Sequence, residues 1–588
     1  MSNKFLRGVA LVSAVVASAC ASDNGAPGSS GGAGNGTGGS AGTVPSAGAG
    51  TGATLGGSGG MANGGAGHAA GGSGGSSGSG VAGATTGGAG AGAVGGASAG
   101  AGAGGGAGAG TGGVDTGGAG SGNAGGAPPN GGTSSGGSGN PGGSGNSTDV
   151  TVNLDQTKQK IEGFGINDTW NALTDAQAKA LFDPAEGIGL TILRVGMNPS
   201  GSFYNNNEAS SISAAKKYGG TTIIGSVWSP PASCKDNSNT QKGGHLLTSC
   251  YDSWSTSIAK FAKDNGLYAM SAGNEPDFAS CGSSIGPPCT VDYDTTLYTG
   301  KEMAAFVKVL GPKLKDAGVK LISPEASEWI HIWSNTSATG STVSSHPNSS
   351  DPLKCGCFGT STDCASSCAN GNGYDYGHAL YQDKDAWAAV DILGVHQYDT
   401  QVAEPWPADV PEKKPVWQTE MSGVKYWPEG EPSKDIANGI AVAGWLHNAL
   451  TVGEANAWLW WWYKGSDTNE GLYLSDGSDT KRHYTYGNYT KFIRPGYNRV
   501  AVTGNVPTDV LLSAYAGADG TVVVVAVNKG AADVVVPITI GGSTVPAAMT
   551  PNVTSESDNL KAGTAVPVTG GILMASLPKK TVTTFVGK

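Results

Sequence analysis

Between residues 21 and 150 the sequence lacks aromatic residues, lysine, arginine and glutamate, and its only charges are Asp23, Asp115 and Asp149. The same stretch holds 55 of the 101 glycines of the chain. A segment with so little apolar side chain to bury does not offset the entropy of ordering its glycines. Collagen is excluded because the strict Gly-X-Y period and the high proline content are missing. We therefore predict a disordered Gly/Ala/Ser-rich linker over residues 21–149.

The N-terminus has no apolar run long enough to span a bilayer. Lys4 and Arg7 precede the apolar segment 8–19, which has the length of the h-region of a signal peptide. The run ends Ala17-Ser18-Ala19-Cys20, which resembles a bacterial lipobox. We predict a signal peptide over residues 1–20, export, and lipidation of Cys20. Cleavage by an ordinary signal peptidase at the Ala-x-Ala tripeptide, giving a free secreted protein, is the alternative.

A strongly basic stretch is also missing. After residue 150 the chain has 32 Lys and Arg against 42 Asp and Glu, which does not favour a nucleic-acid partner. No metal-ligand pattern such as His-Glu-x-x-His occurs, and the Gly-x-Gly repeats of the linker follow no strand. We expect no metal or other cofactor, a neutral polysaccharide substrate, contact with a membrane only through the lipid anchor, and a monomer.

The nine cysteines leave eight when Cys20 is set aside, and eight can pair completely. Their proximity in sequence suggests two disulfides, Cys234 with Cys250 and Cys281 with Cys289. The remaining four cysteines lie in one long loop, and they are Cys355, Cys357, Cys364 and Cys368. The alternatives for them are two further disulfides or a structural zinc site. Oxidation is favoured in an exported chain.

From residue 151 short apolar strands alternate with longer helical stretches, which is typical of a parallel sheet wrapped by helices. Eight strands are predicted at 160–166, 190–196, 221–228, 267–273, 320–323, 390–396, 415–419 and 455–462. Helices are predicted between them, for example at 253–264 and 301–316. The α/β fold class is therefore a (β/α)8 barrel over residues 150–498, with chemistry at the C-terminal ends of the strands.

After residue 499 the pattern is rich in β-structure. Strands are predicted at 510–515, 521–528, 533–540 and 581–586, which indicates an appended β-sandwich over residues 499–588. The strand-like segment 150–153 is a candidate to join it.

Two predicted barrel strands end in a carboxylate. The fourth ends in Asn274, Glu275 and Pro276, and the seventh ends in Glu420. Strands four and seven face each other across a barrel mouth, so the two carboxylates can flank one bond. Cleavage of a glycosidic bond needs such a pair. The alternative for either glutamate alone is a helix cap or an ion pair at the rim.

These strand ends resemble the retaining glycoside hydrolases of clan A. Further segments resemble glycoside hydrolase family 30, and they are 163–165, 228–231, 391–398, 460–463 and 491–497. Within that family, the likeness is closest to the bacterial xylanases. The resemblance implies that Glu275 is the general acid/base and Glu420 the nucleophile of a double displacement. Their carboxyl groups should then lie about 5 to 5.5 Å apart, and Glu275 should have a raised pKa while Glu420 stays ionised.

Other candidate substrate-binding residues lie at the same strand ends. Arg194 is the nearest cation to hold Glu420 ionised, or it forms a structural ion pair, and Asn274 is expected to donate to a sugar 2-hydroxyl. His396 orients a hydroxyl or packs. Aromatic rings that can stack on sugars are Trp228, Tyr398, Trp462 and Tyr463, whereas Trp458 and Trp460 are expected in the core.

Lys464 occupies the place where family 30 xylanases that depend on glucuronate side chains usually carry an arginine. A lysine lacks the planar fork that grips a carboxylate with two hydrogen bonds. The resemblance therefore implies a xylanase without implying strict dependence on glucuronate. The alternative functions are a β-1,6-glucanase, β-1,6-galactanase or glucosylceramidase-like hydrolase and, in another class, a non-catalytic glycan-binding surface protein.

Overall fold

A computed structural model describes residues 150–241, 243–278, 293–334, 374–398, 403–422, 435–464, 471–474 and 476–588, and the backbone of two short strands, Val343–Ser344 and Cys357–Phe358. The predicted signal peptide, the linker and Cys20 lie outside the described residues. So do Cys281, Cys289, Cys355, Cys364 and Cys368, and of Cys357 only the backbone is described. In the described part of the chain, no helix combines the length and the apolar character that crossing a membrane requires.

Eight parallel strands close into a barrel, as predicted. In chain order they are β2 (Gly163–Asn167), β3 (Ile192–Met197), β4 (Thr222–Val227), β5 (Ala269–Ser271), β6 (Lys320–Ala326), β9 (Ile392–His396), β10 (Val416–Glu420) and β11 (Ala457–Trp462). The intervening β7 (Val343–Ser344) and β8 (Cys357–Phe358) pair with each other. The sixth barrel strand, β9, pairs directly with the fifth, β6. The barrel closes where its last strand, β11, pairs with its first, β2.

Helices cover the barrel between its strands. The described α-helices are α1 (Asp175–Phe182), α2 (Glu208–Tyr218), α3 (Tyr251–Asp264), α4 (Gly300–Asp316), α5 (Tyr376–Gln382), α6 (Lys384–Ala389), α7 (Ile436–Thr451) and α8 (Lys481–Thr490). In α4 the buried side chains Met303, Phe306, Val307, Leu310 and Leu314 recur at steps of three and four residues, which forms the apolar stripe that packs on the barrel. Its N-terminus is fixed by a capping box between Thr299 and Glu302.

The barrel interior has an apolar layer with a polar layer above it. The apolar layer consists of Ile192, Ile224, Ala269, Ile322, Ile392, Trp417, Ala457 and Leu459. Because side chains two residues apart point to the same side of a strand, Arg194 and Ser226 lie one step above Ile192 and Ile224. This alternation places buried polar groups at the C-terminal ends of the strands, directly over an apolar base.

A ten-stranded β-structure is formed by one strand before the barrel and nine strands after it. Its strands are β1 (Val150–Lys160), β12 (Asn498–Thr503), β13 (Val510–Ala516), β14 (Val522–Asn528), β15 (Val534–Gly541), β16 (Ala548–Thr554), β17 (Lys561–Ala562), β18 (Val566–Thr569), β19 (Ile572–Leu577) and β20 (Thr581–Gly587). The segment at the start of the described chain does join it, since β1 pairs with β12 and β15. Lys160, predicted in the first barrel strand, is the last residue of β1 instead.

The helix that precedes the sandwich attaches it to the barrel. Asn488 of α8 donates from Nδ2 to Thr584 Oγ1 at 3.0 Å, and its carbonyl accepts from Thr584 Oγ1 at 2.7 Å. Gln159 of β1 also donates from Nε2 to the carbonyl of Leu450 in α7 at 2.6 Å. The Cys234–Cys250 disulfide is present and links the segment after β4 to the start of α3.

Candidate active site

Glu275 lies in a tight turn just beyond β5. Its φ is +47°, in the left-handed region that residues other than glycine rarely adopt. The backbone N–H of Glu275 donates to the carbonyl of Glu325 at 3.0 Å, and the N–H of Phe278 donates to the carbonyl of Glu275 at 2.9 Å. These two bonds hold the strained turn so that the Glu275 side chain remains over the barrel mouth.

Glu420 is the last residue of β10, and both of its carboxylate oxygens accept hydrogen bonds. Arg194 donates from Nη1 to Oε2 at 2.6 Å, and the hydroxyl of Tyr398 donates to Oε1 at 2.9 Å. Donors aimed at both oxygens stabilise the ionised form of a carboxylate.

The two predicted carboxylates lie close together. One ligand atom from each of Glu275, His396 and Glu420 lies within 4.8 Å of those of the other two. Pairs of carboxylates that leave room for a water beside the sugar are roughly 6.5 to 9.5 Å apart, whereas pairs in which one carboxylate attacks the sugar directly are about 5 to 5.5 Å apart. An approach of one oxygen of each carboxylate to within 4.8 Å is compatible with the second, shorter spacing.

The same three side chains have the spacing of a small metal site. A cation already lies against Glu420, however, because the fully buried guanidinium of Arg194 is in direct contact with it. A metal ion bound to Glu420 would have to share the carboxylate with that guanidinium, which is unfavourable for two buried cations. The expectation that the site uses no metal stays a prediction.

Arg194 connects several groups of the site. Beyond Glu420, its Nη2 contacts Asn274 Oδ1 at 2.6 Å and Glu325 Oε2 at 3.1 Å, and its guanidinium lies 4.9 Å from the centroid of the Trp228 ring. The two alternatives for Arg194, a partner of the nucleophile and a structural ion pair, are thus both present.

The contact with Arg194 fixes the orientation of the Asn274 amide. A guanidinium can only donate, so the atom of Asn274 that it contacts is the amide oxygen. The amide nitrogen of Asn274 is then the group left to donate, and its hydrogen bond to a substrate stays a prediction. The residue is 5% exposed, which leaves little access except from the barrel mouth.

The two glutamates differ in how strongly the site favours their protonated forms. Burial raises the pKa of Glu275 well above its ordinary value, and the negative charges of Glu420 and Asp277 add to that shift. Burial raises the pKa of Glu420 to about 7, but Arg194 and the hydroxyl of Tyr398 oppose the rise. The hydrogen bonds from Arg194 and Tyr398 therefore favour the ionised form at Glu420 rather than at Glu275.

His396, at the end of β9, contacts Glu275. Its Nδ1 lies 3.0 Å from Glu275 Oε1, and its Nε2 lies 3.8 Å from Glu420 Oε2. Burial and the positive charge of Arg194 lower the pKa of His396 well below its ordinary value. The ring is therefore neutral and adds no second positive charge beside the two glutamates.

The predicted aromatic residues have different surroundings. One face of Trp228 is covered by Arg194, and the hydroxyl rather than the ring of Tyr398 contacts the site. Tyr463 is a correction, because its ring packs in the main hydrophobic core and its hydroxyl donates to the Ala172 carbonyl at 3.2 Å. Trp462 stacks on Trp461 at 5.3 Å, and its Nε1–H has no hydrogen-bond partner among the described residues. Trp458 and Trp460 are in the core, as expected.

Lys464 follows β11 at the rim of the barrel. It is half-buried, and its backbone pairs with that of Tyr473.

Several residues of the site were not predicted from the sequence. Glu325 and Ser226 lie beneath Arg194, and Trp170, with a φ of +68°, packs against Trp228 and Trp461. The signal for Glu325 was available, because it lies at the C-terminal end of a barrel strand like Glu275 and Glu420. It was missed because the fifth strand was predicted to end at residue 323, whereas β6 continues to Ala326.

Comparison with known families decides the class of the C-terminal domain. Residues 498–585 match the family model described as the glycosyl hydrolase family 30 beta sandwich domain. The C-terminal domain therefore matches the β-sandwich domain found in family 30 glycoside hydrolases. The family 30 likeness extends over the barrel as well, because glucuronoxylanase XynC of Bacillus subtilis strain 168 is 28% identical over 457 residues, which are 75% of this chain and 92% of that protein.

Solved structures of family 30 enzymes share this two-part architecture. The family 30 subfamily 8 xylanase Xyn30A of Clostridium acetobutylicum is 28% identical with a TM-score of 0.59, over 75% of this chain and 100% of the other. The family 30 endoxylanase of Clostridium papyrosolvens C71 is 27% identical with a TM-score of 0.56, over the same shares of the two chains. The predicted family 30 resemblance and the barrel with an appended sandwich are therefore confirmed.

Proposed function

We propose that this protein is a retaining endo-β-1,4-xylanase. The observation that carries the proposal is the pair Glu275 and Glu420, which lie at facing strand ends with carboxylate oxygens within 4.8 Å. The similarity to family 30 xylanases over three quarters of the chain supports xylan as the substrate.

In the first step of the proposed reaction, Glu420 attacks the anomeric carbon while Glu275 transfers its proton to the glycosidic oxygen. The bond to the leaving sugar breaks as the bond to Glu420 Oε forms, which gives a covalent glycosyl-enzyme. The raised pKa of Glu275 keeps the proton available, and Arg194 and Tyr398 orient the attacking carboxylate.

In the second step the ionised Glu275 removes a proton from water, which attacks the anomeric carbon and releases Glu420. The free amide nitrogen of Asn274 donates to the sugar 2-hydroxyl, and this bond strengthens as positive charge develops on the ring. Neutral His396 orients Glu275 during both proton transfers.

A panel of substrates tests the proposal. Linear xylan, glucuronoxylan, β-1,6-glucan and β-1,6-galactan are incubated with the full chain, and the products are identified by size. We expect internal cleavage of the two xylans. Cleavage of the β-1,6-linked substrates alone would support the alternative hydrolase, and binding of xylan without products would support the glycan-binding protein.

The variant Glu420→Gln separates catalysis from binding. The amide keeps the size of the side chain but removes the nucleophile, so we expect glycan binding to persist and turnover to fall by about 10³-fold or more. Lys464→Ala is the matched test of glucuronate recognition. A small and equal effect on linear xylan and glucuronoxylan is expected, because a single lysine is a point charge without bidentate geometry.

We also propose that the protein is exported and held at the cell surface by a lipid on Cys20, with residues 21–149 as a flexible tether. The support is the order of a basic start, a short apolar run and Ala17-Ser18-Ala19-Cys20. Metabolic labelling with a radioactive fatty acid should mark the native chain but not Cys20→Ser. An unlabelled native chain in the medium would support ordinary secretion.

A further inference from the structure

A third buried carboxylate, Glu325, lies beneath the pair that carries out the proposed chemistry. It belongs to β6 and is fully buried. Its Oε2 accepts from Arg194 Nη2 at 3.1 Å and from the hydroxyl of Ser226. Because its side chain has no exposed surface, Glu325 can act on the reaction only through its neighbours.

Arg194 is shared by two of the three carboxylates. Glu420 binds its Nη1 and Glu325 binds its Nη2, while Glu275 has no hydrogen bond to it. Three ionised carboxylates around one guanidinium would leave two uncompensated negative charges in a buried site, which is costly. One proton held among the three carboxylates reduces the excess to a single negative charge.

We propose that Glu325 is a positioning residue that, by taking the second side of Arg194, leaves Glu275 as the carboxyl group that holds the proton of the site. This inference rests on the proposed function, because it explains how one of two similar glutamates becomes the acid. Glu325 and Glu420 each accept a hydrogen bond from the guanidinium, which protonation would weaken, whereas Glu275 has no such bond to lose.

The backbone of Glu325 acts on the same group. Its carbonyl accepts the N–H of Glu275 at 3.0 Å, and both residues have positive φ, +63° and +47°. The turn that presents Glu275 is thus built on the residue that carries the neighbouring charge. A substitution that changes only the side chain at position 325 leaves this backbone contact in place.

Every charged or titratable group that faces Glu275 contributes to its proton affinity. The described groups come from four barrel strands, from the residues just after β9 and from its own turn, and they are Arg194, Glu325, His396, Tyr398, Glu420 and Asp277. Burial and then the charges of Glu420 and Asp277 raise the pKa of Glu275, and Glu325 acts in the same direction. Removing the charge of Glu325 should therefore ease the loss of the proton.

The test compares Glu325→Gln with the native chain. Glutamine keeps an oxygen that can accept from Arg194 but has no charge, so the alkaline limb of the kcat/KM profile on xylan should move to lower pH by about 0.5 to 1 unit. On an aryl xyloside with a strongly acidic leaving group, which does not need the proton, no such shift is expected. An alkaline limb that stays in place on xylan would overturn the proposal.

The matched control is Glu302→Gln. Glu302 is another buried glutamate, but it caps α4 and contacts His245 at 2.7 Å, and glutamine can replace it in a capping box. The alkaline limb of this variant should coincide with that of the native chain. A shift equal to that of Glu325→Gln would show that any lost buried charge has this effect, and would contradict the specific role of Glu325.

A readout without substrate separates this inference from the proposed function. The full chain is labelled with carbon-13 at the glutamate carboxyl groups, and their NMR signals are followed as the pH is changed. The signal of Glu275 is assigned by its absence in Glu275→Gln. Its titration midpoint should fall by about 0.5 unit or more in Glu325→Gln, whatever glycan the protein cleaves. An unchanged midpoint would overturn the inference even if the native chain hydrolyses xylan.

The variant Glu325→Asp covers the case in which Glu325→Gln does not fold. Aspartate keeps the charge but is shorter, so the midpoint of Glu275 should stay within about 0.3 unit of the native value while kcat falls. A fall of the midpoint in Glu325→Asp as large as the fall expected for glutamine would contradict the charge argument.

Discussion

Arg194 and Glu420 lie 2.6 Å apart, from Nη1 to Oε2, although 226 residues separate them in the sequence. They come from β3 and β10, and both side chains are almost completely buried. The pair brings together two buried charges, which is unfavourable unless they are well matched and further hydrogen-bonded. Here the remaining donors of Arg194 meet Asn274 and Glu325, and the other oxygen of Glu420 meets Tyr398.

The variant Arg194→Gln tests the role of this cation. Loss of the charge should raise the pKa of Glu420, so the acid limb of the kcat/KM profile should move to higher pH, and kcat/KM should fall by about 10²-fold or more. Breaking a buried ion pair also costs about 3 to 5 kcal/mol of stability, so folding is checked by circular dichroism. Arg494→Gln is the control, because Arg494 bonds backbone carbonyls far from the glutamates. A folded Arg194→Gln with the native acid limb would contradict the assignment.

Tyr398→Phe removes one hydrogen bond from the nucleophile and keeps the ring. A hydrogen bond to a charged group contributes about 1.5 to 3 kcal/mol, so kcat/KM should fall roughly 10- to 100-fold, and the acid limb should again move to higher pH. Tyr463→Phe removes a hydroxyl that bonds the Ala172 carbonyl and the Gln177 side chain rather than Glu420, and should leave the acid limb unchanged. The account fails on this point if the two variants have the same pH profile.

Glu275→Gln should separate the two halves of the reaction. Hydrolysis of xylan should fall by about 10² to 10⁴-fold, because the leaving oxygen is no longer protonated. Formation of the glycosyl-enzyme from an aryl xyloside with an acidic leaving group should be much less affected. The alkaline limb of the pH profile of this step should disappear. Rapid-quench measurement of the released phenol checks this. Equal losses on both substrates would argue against Glu275 as the acid.

The eight barrel strands, and the placing of Glu275 and Glu420 at strand ends, followed from the sequence because each depends on a local pattern, an apolar run that ends in a polar residue. Glu275 and Glu420 were visible for that reason. The partners of Arg194 were not, since contacts such as Glu325 with Ser226 depend on where strands end and on how the barrel closes. In the sandwich, β19 was missed because its exposed side is also apolar, with Ile572 and Met574 40% and 50% exposed, which hides the alternation.

A buried histidine should make the fold sensitive to acid. Burial lowers the pKa of His483 to about 4, so the folded chain keeps the ring neutral while the unfolded chain protonates it near its ordinary value. The stability it provides is present above about pH 6.5 and is lost as the pH falls towards 4, by about 2 kcal/mol at pH 5. Urea unfolding at pH 7 and pH 5 should show this loss, and it should be smaller in His483→Gln. In His378→Gln, a half-buried histidine paired with Asp375, the loss should remain as in the native chain.

The stereochemistry of the first product tests the central claim most directly. The claim is that Glu275 and Glu420, with carboxylate oxygens within 4.8 Å, act by double displacement without a water between them and the sugar. Proton NMR of xylo-oligosaccharide hydrolysis, recorded before mutarotation, reports the anomer first released. The account predicts the β-anomer, the configuration of the bond that is cleaved, and the α-anomer as first product would contradict it.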